Sequence, residues 1–124
     1  MSATPPHSKE SERAVLGAIM LDNAVVPEAM AILEPASFFA PKHRDLFEAC
    51  LELWPDMLID PVSLLEQMNG KVGIAYISAL LDEAVTSANI GYHANIVADK
   101  AISRGLVHAG QQISAMGRED PPDV

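Results

Sequence analysis

Apolar residues recur along this chain at the spacing of a helix turn, in six successive segments. From Pro6 to Asn23, Val15, Leu16, Ile19 and Met20 stand at i, i+1, i+4 and i+5 and line one helical face that must be buried. Ser8 stands where an N-cap belongs, and Glu10 and Glu12 place negative charge in the first turn, where the helix dipole favours it. Gly17 costs ~1 kcal/mol relative to alanine in a helix interior. With Ala14, Ala18 and Leu21 beside it, it predicts a face that another backbone approaches closely. Asp22-Asn23 ends the element and can start the next.

A second helix is expected over Ala24 to Leu33, with Val25, Val26, Ala29, Met30 and Leu33 inward, Pro27 in its first turn and Pro35 as its stop. Phe38-Phe39 is a short apolar link. Pro41 opens a third helix with the stripe Leu46, Phe47, Cys50, Leu51 and Trp54, closed by Pro55. Asp60-Pro61 reads as N-cap plus first helical position of a short fourth helix, with Val62, Leu65 and Met68 inward and Gly70 and Gly73 breaking the chain after it. A fifth runs from Ile74 to Ala84, burying Ile77, Leu80, Leu81 and Ala84.

The longest segment follows Thr86-Ser87 and runs from Ala88 to Met116. In its first half Ile90, Ala94, Val97 and Ala101 share a face. In its second half the face is Ile102, Leu106, Ala109, Ile113 and Met116, rotated by roughly a quarter turn. The first half is expected to pack into a globular lobe and the second to project as a seam with the a/d spacing of helix pairing, although Gly105 and Gly110 weaken the isolated helix. This seam is the candidate association site. Residues 1–7 are expected to be a flexible N-terminus, and Gly117 to Val124 a polar tail at the start of a truncated hairpin or linker. No segment alternates apolar and polar residues as a strand would. The expected fold is all-α, a compact lobe of helices followed by a long helix forming the first arm of a truncated helical hairpin.

Composition narrows the function. The 124 residues, 49% hydrophobic and 20% charged, suit one globular domain. Eight Lys and Arg against seventeen Asp and Glu give a net charge of −9, and because phosphate neutralisation by basic residues drives nonspecific nucleic-acid affinity, the domain alone should bind DNA poorly. Proteins are the expected partners, not membranes. Cys50 is the single cysteine, so neither an intramolecular disulfide nor a cysteine-based zinc site is available, in keeping with a reducing cytoplasm. The apolar run from Ala14 to Leu21 is too short to span a bilayer and lacks a signal-peptide cleavage pattern.

Catalytic and ligand motifs are absent. His7, His43, His93 and His108 include no i, i+4 pair and no His-Glu-x-x-His spacing, so they read as structural or solvated, His43 as a local hydrogen-bonding residue at the start of the third helix. Gly70-Lys71 is no phosphate loop, because Leu65 and Val72 stand where that motif requires glycine and Ser or Thr. Asp82-Glu83 and Arg118-Glu119-Asp120 read as solvated surface. No catalytic, cofactor-binding or metal residues are assigned.

The segment with Pro6-His7, Ser8, Glu10, Glu12, Val15-Leu16-Gly17 and Leu21-Asp22-Asn23 resembles the opening helix of the N-terminal domain of DnaB-type replicative DNA helicases. Phe38-Phe39 followed by His43-Arg44, Leu46-Phe47 and Ala49 is similar to the next part of that pattern. So is Ile59-Asp60 with Val62 and Leu64. Gly73, Tyr76, Leu80, Thr86, Ala88-Asn89-Ile90, Tyr92, Ala94, Ile96-Val97, Ala101-Ile102 and Arg104 continue it in order, so the resemblance covers Pro6 to Met116. The chain departs from the pattern at Pro55 to Asp60, where the family usually has a glycine-containing turn before Pro-Ile-Asp, and in a shortened stretch from Glu66 to Gly73.

The resemblance implies that residues 8–116 are the N-terminal domain of a hexameric helicase of bacterial or phage origin, acting in the cytoplasm. It implies a downstream motor domain that uses ATP and Mg to move along single-stranded DNA. This domain would then act through dimerisation, assembly of a ring collar and binding of primase, with a helicase loader as a further candidate partner. Two other readings stay open on the residues: a freestanding helical adaptor or helicase-binding module without a motor, and a small acidic enzyme using Glu10, Glu12 and His43. A reading frame continuing past Val124 into a Walker A loop separates the first two.

Overall fold

A computed structural model describes residues 4–119, and every regular element among them is helical. The order is α1 (Lys9–Leu21), a 3₁₀ turn at Asn23–Val25, α2 (Val26–Ile32), a 3₁₀ turn at Pro35–Ser37, α3 (Pro41–Leu53), α4 (Pro61–Met68), α5 (Ile74–Glu83) and α6 (Ile90–Glu119). The part of the expected tail from residue 120 onward, Asp120 of the charged cluster with it, and residues 1–3 lie outside the described residues.

Capping chemistry sets the boundaries. The Ser8 hydroxyl accepts from the Ser11 N–H and starts α1. Asp22 closes α1 and its carboxylate accepts from the Ala24 N–H, opening the 3₁₀ turn. Asp60 and Ser63 form a reciprocal capping box at α4: Ser63 N–H donates to Asp60 Oδ1 at 2.8 Å, and Asp60 N–H donates to Ser63 Oγ at 3.0 Å. α4 ends on Asn69 in the left-handed conformation, φ 49°, followed by Gly70 at φ 88°.

α1 is the central element, packed on α3, α5 and α6. Its Val15, Leu16 and Ile19 meet Leu46, Phe47, Ile77, Leu80, Ile90 and Val97 in one buried core, and the rings of Phe38 and Phe47 lie 5.0 Å apart. Gly17 sits against α5. A Cβ there would collide with the Leu80 carbonyl and come within 3.1 Å of the Ala84 methyl, which is the close backbone approach the sequence predicts. Asn23 ties the end of α1 to the segment before α4: its amide donates to the carbonyls of Ile19 and Ile59, and its oxygen accepts from Ile59 N–H at 2.8 Å.

Several expectations need correction. The long helix, expected from Ala88 to Met116, runs Ile90–Glu119 and takes Gly117, Arg118 and Glu119 out of the expected tail. Leu81 and Ala84, expected to be buried, are half-buried because the face of α5 turned to the core is that of Ile77 and Leu80. The second helix opens as a 3₁₀ turn and becomes α-helical only at Val26. Met30, expected in the core, is 48% exposed, because Val26 and Ala29 form the face that α2 turns toward the lobe. Val62, expected inward, is 66% exposed. Leu64 takes its place with Met68, an i, i+4 pair that competes with the i, i+3, i+6 set Val62, Leu65, Met68 on an eight-residue helix.

Candidate association surface

α6 divides as its two apolar faces require. Ile90, Ala94 and Val97 are buried against the lobe, and Ala101 is half-buried. At the foot of the distal half stands Arg104, whose guanidinium donates to the Pro6 carbonyl at 2.9 Å and to the Ser37 carbonyl at 2.7 Å and lies over the Phe39 ring. Beyond it the helix leaves the lobe.

Every residue of the predicted seam lies on this helix and faces solvent: Ile102, Leu106, Ile113 and Met116 are each 63–70% exposed, and Ala109 is exposed. Four large aliphatic side chains in one line form an unusual surface for an isolated chain. From Gly105 to Gly117 there is no Asp, Glu, Lys or Arg, although the whole chain carries −9. Of the net −9, seven charges lie at or before Arg104 and two beyond Gly117, which leaves the stretch between them as the part that a like-charged copy can approach with least repulsion. Sequence reasoning missed Met30, which borders a shallow groove between α2 and α6 together with Leu33, Ala98, Ala101 and Ile102. The seam thus continues from the arm onto the lobe. The only signal available was the shortness of α2, which lets Met30 lie on either face.

A second constellation is buried. Glu12 from α1 accepts Phe39 N–H at 2.7 Å, Ala40 N–H at 3.3 Å and a proton from His43 Nδ1 at 2.8 Å. Ala40 is the N-cap of α3 and has no side chain able to cap, so Glu12 supplies the anion that the start of α3 lacks. With Nδ1 carrying its proton toward the carboxylate, His43 Nε2 accepts from the Tyr76 hydroxyl of α5 at 2.6 Å. Burial pushes the Glu12 carboxyl up, but the bonds from His43 and the two backbone N–H groups outweigh it and hold the group below the usual carboxylate range. The Tyr76 hydroxyl is raised by burial against the pull of Arg13.

Glu12 and His43 are 2% and 1% exposed, and all their polar atoms are occupied within the chain. This is a brace joining α1, α3 and α5. Of the candidate acid–base trio, Glu10 is exposed and is not among the hydrogen-bond partners of Glu12 and His43. His93 Nδ1 meets Ser11 Oγ at 3.1 Å, His7 stacks on Phe39, and His108 lies exposed on the arm. Among the described residues no three His, Cys, Asp or Glu side chains gather as a metal would need, and no helix is long and apolar enough to cross a membrane.

Residues 4–99 match the family model for the DnaB-like helicase N-terminal domain. The chain is 37% identical to the replicative DNA helicase DnaB of Geobacillus stearothermophilus over 97% of its own length and 36% identical to that of Leifsonia xyli over 98%, spanning 28% of each relative. In solved structures it is similar to the N-terminal domain of DnaB helicase from Mycobacterium tuberculosis, with a TM-score of 0.88 and 30% identity, covering 93% of this chain and 88% of that one. The corresponding domain from Helicobacter pylori, described together with its interactions with primase, gives a TM-score of 0.78 and 26% identity, covering 87% and 89%.

Proposed function

The chain belongs to the DnaB-like helicase N-terminal domain family, and from that premise we propose that it is the assembly and partner-binding domain of a replicative DNA helicase. In this reading it performs no chemistry. A downstream motor domain hydrolyses ATP with Mg and moves along single-stranded DNA in the bacterial cytoplasm, while this domain pairs with its copies and contributes to the collar of a hexameric ring. Primase is its expected partner, in line with the interactions described for the H. pylori domain, and a helicase loader is a second candidate.

The observation that carries the reading is the exposed seam Ile102, Leu106, Ala109, Ile113 and Met116 on an arm free of carboxylates, lysines and arginines between Gly105 and Gly117. Burying a leucine-sized side chain contributes ~1.5–3 kcal/mol, so four of them provide ample drive for association across a two-fold axis. Sedimentation velocity tests this. A concentration-dependent monomer–dimer equilibrium is expected, shifted to monomer by Leu106→Asp together with Ile113→Asp while helical circular dichroism persists. If the double variant unfolds, or the parent is monomeric at millimolar concentration, the seam does not serve association.

A further inference from the structure

We propose that the connection between α3 and α4 is a docking site for a segment of another protein whose aliphatic side chains are flanked by lysines or arginines, received by Met57, Leu58 and Val62 among a group of carboxylates. The proposal goes beyond the assembly reading and uses a different face, since α4 packs on α3 and α5 while α6 packs on α1 and α2.

Charge is the first observation. Between Asp45 and Gly70 stand six carboxylates, Asp45, Glu48, Glu52, Asp56, Asp60 and Glu66, and no Lys, Arg or His, whereas residues 1–44 sum to −1 and residues 71–104 to zero. Nearly all the net charge of the lobe lies on this one segment. Among the described residues the ion pairs are Arg13–Glu83 and Glu12–His43, so none of the six is ion-paired, although Lys71 lines the small cleft between α3 and α4 with Asp45, Glu48 and Glu52.

The placement works against the helix that carries it. Asp45, Glu48 and Glu52 share one face of α3 at i, i+3 and i+7, where like charges repel. Glu48 and Glu52 stand toward its C-terminus, the end at which the helix dipole favours cations, and no basic residue lies in that last turn. A basic partner relieves both effects.

The second observation is apolar. Met57, Leu58 and Val62 are 58–67% exposed in a solvent-facing connection, where small polar residues are the usual choice. They are held in place. Met57 N–H donates to the Leu53 carbonyl at 2.9 Å, Ile59 is fully buried with both backbone groups bonded to the Asn23 side chain, and Val62 lies inside the Asp60–Ser63 capping box. A knob fixed at both ends is presented without the ordering cost that weakens binding through a loose loop. Asp56 and Asp60 flank it in the chain, which gives the polar-rimmed apolar patch that marks a protein contact. The same carboxylates repel nucleic acid, anionic lipid and the matching patch of a second copy, and so select a basic protein segment.

Fluorescence anisotropy on the full chain tests this with a labelled peptide of leucines and lysines in amphipathic order, a counterpart with glutamate for every lysine, and a scramble of the first. At about 0.15 M salt the lysine peptide should bind and the glutamate peptide should not, with the scramble weaker by roughly tenfold. Met57→Ser together with Leu58→Ser should weaken binding by roughly tenfold, as should Glu48→Lys together with Glu52→Lys. Asp82→Lys together with Asp99→Lys changes the net charge equally and should alter affinity by less than about twofold. Hydrogen exchange of the parent locates the peptide without any substitution, as protection confined to residues 45–68. Leu106→Asp with Ile113→Asp should leave peptide binding unchanged, and Met57→Ser with Leu58→Ser should leave sedimentation unchanged, so failure here and failure of the association reading are told apart. The proposal is overturned by no binding of the lysine peptide, by equal binding of the glutamate peptide or the scramble, by protection on α6, or by unchanged binding in the Met57 and Leu58 variant or the Glu48 and Glu52 variant. An equal loss in the Asp82 and Asp99 control, which shows diffuse attraction, or a dimer lost in the Met57 and Leu58 variant, which shows that the patch joins copies, overturns it as well.

Discussion

Replacing Glu12 by alanine removes a carboxylate that serves three donors at once, Phe39 N–H, Ala40 N–H and His43 Nδ1. Each donor left unpaired in the interior costs ~1–3 kcal/mol, and the losses overlap because His43 can reorient. Three unpaired donors at that cost, discounted for the overlap, come to about 3–5 kcal/mol in all. We adopt that range for Glu12→Ala, against a total stability of ~5–15 kcal/mol for a domain of this kind. Glu12→Gln keeps the shape and one acceptor and should cost about 1–2 kcal/mol.

The dependence on pH separates charge from packing. The folded group titrates below its unfolded value of about 4.3, so its contribution is fully present above that value and lost as pH falls through the folded pKa. Urea denaturation between pH 3 and 7, at concentrations low enough to hold the chain monomeric, should show the difference between parent and Glu12→Gln shrinking on acidification. Glu83 is also held below the usual carboxylate range, by Arg13, but lies on the surface and supplies little of this limb. A loss under ~1.5 kcal/mol for Glu12→Ala, or the same acid limb in Glu12→Gln as in the parent, would refute the idea that Glu12 braces the start of α3 as an anion.

Gly17→Ala should destabilise the lobe by about 1–2 kcal/mol in urea denaturation, since the collision with the Leu80 carbonyl outweighs the ~1 kcal/mol gained in helix propensity; a more stable variant would mean that α5 yields freely. Asp60→Ala removes the acceptor for Ser63 N–H and should cost ~1 kcal/mol by chemical denaturation, with a change below ~0.3 kcal/mol showing that water replaces the cap.

Features written within one or two helical turns were legible in the sequence. Ser8, Asp22 and the Asp60-Pro61 pair act on backbone groups three residues away or fewer, so their residue types alone identify them. Gly17 was legible for another reason: a glycine among alanines on an apolar face has few uses besides close packing. Contacts distant in sequence were not legible. In the sequence Glu12 is a first-turn charge favoured by the dipole, and its role depends on Phe39, Ala40 and His43, 27 to 31 residues later. Asn23 there is an ending signal, whereas its amide also pairs with Ile59 across 36 residues. Met30 and Val62 failed for want of length, because a helix of seven or eight residues admits two apolar stripes and only the tertiary neighbours choose between them. The seam on α6 showed in its period, while the groove beside it needed the fold.

Arg104 has a mechanical meaning. The helix beyond it continues to Glu119, about 22 Å at 1.5 Å per residue, and behaves as a lever whose pivot is one guanidinium held by two carbonyls, Pro6 from the N-terminal strand of chain and Ser37 from the turn before α3. A tilt of about 10° at such a pivot carries the tip sideways by about 4 Å, close to three-quarters of the rise of a helical turn. The angular tolerance of any ring built from these arms is therefore set at their roots, where Arg104 fixes the aim of side chains it never touches.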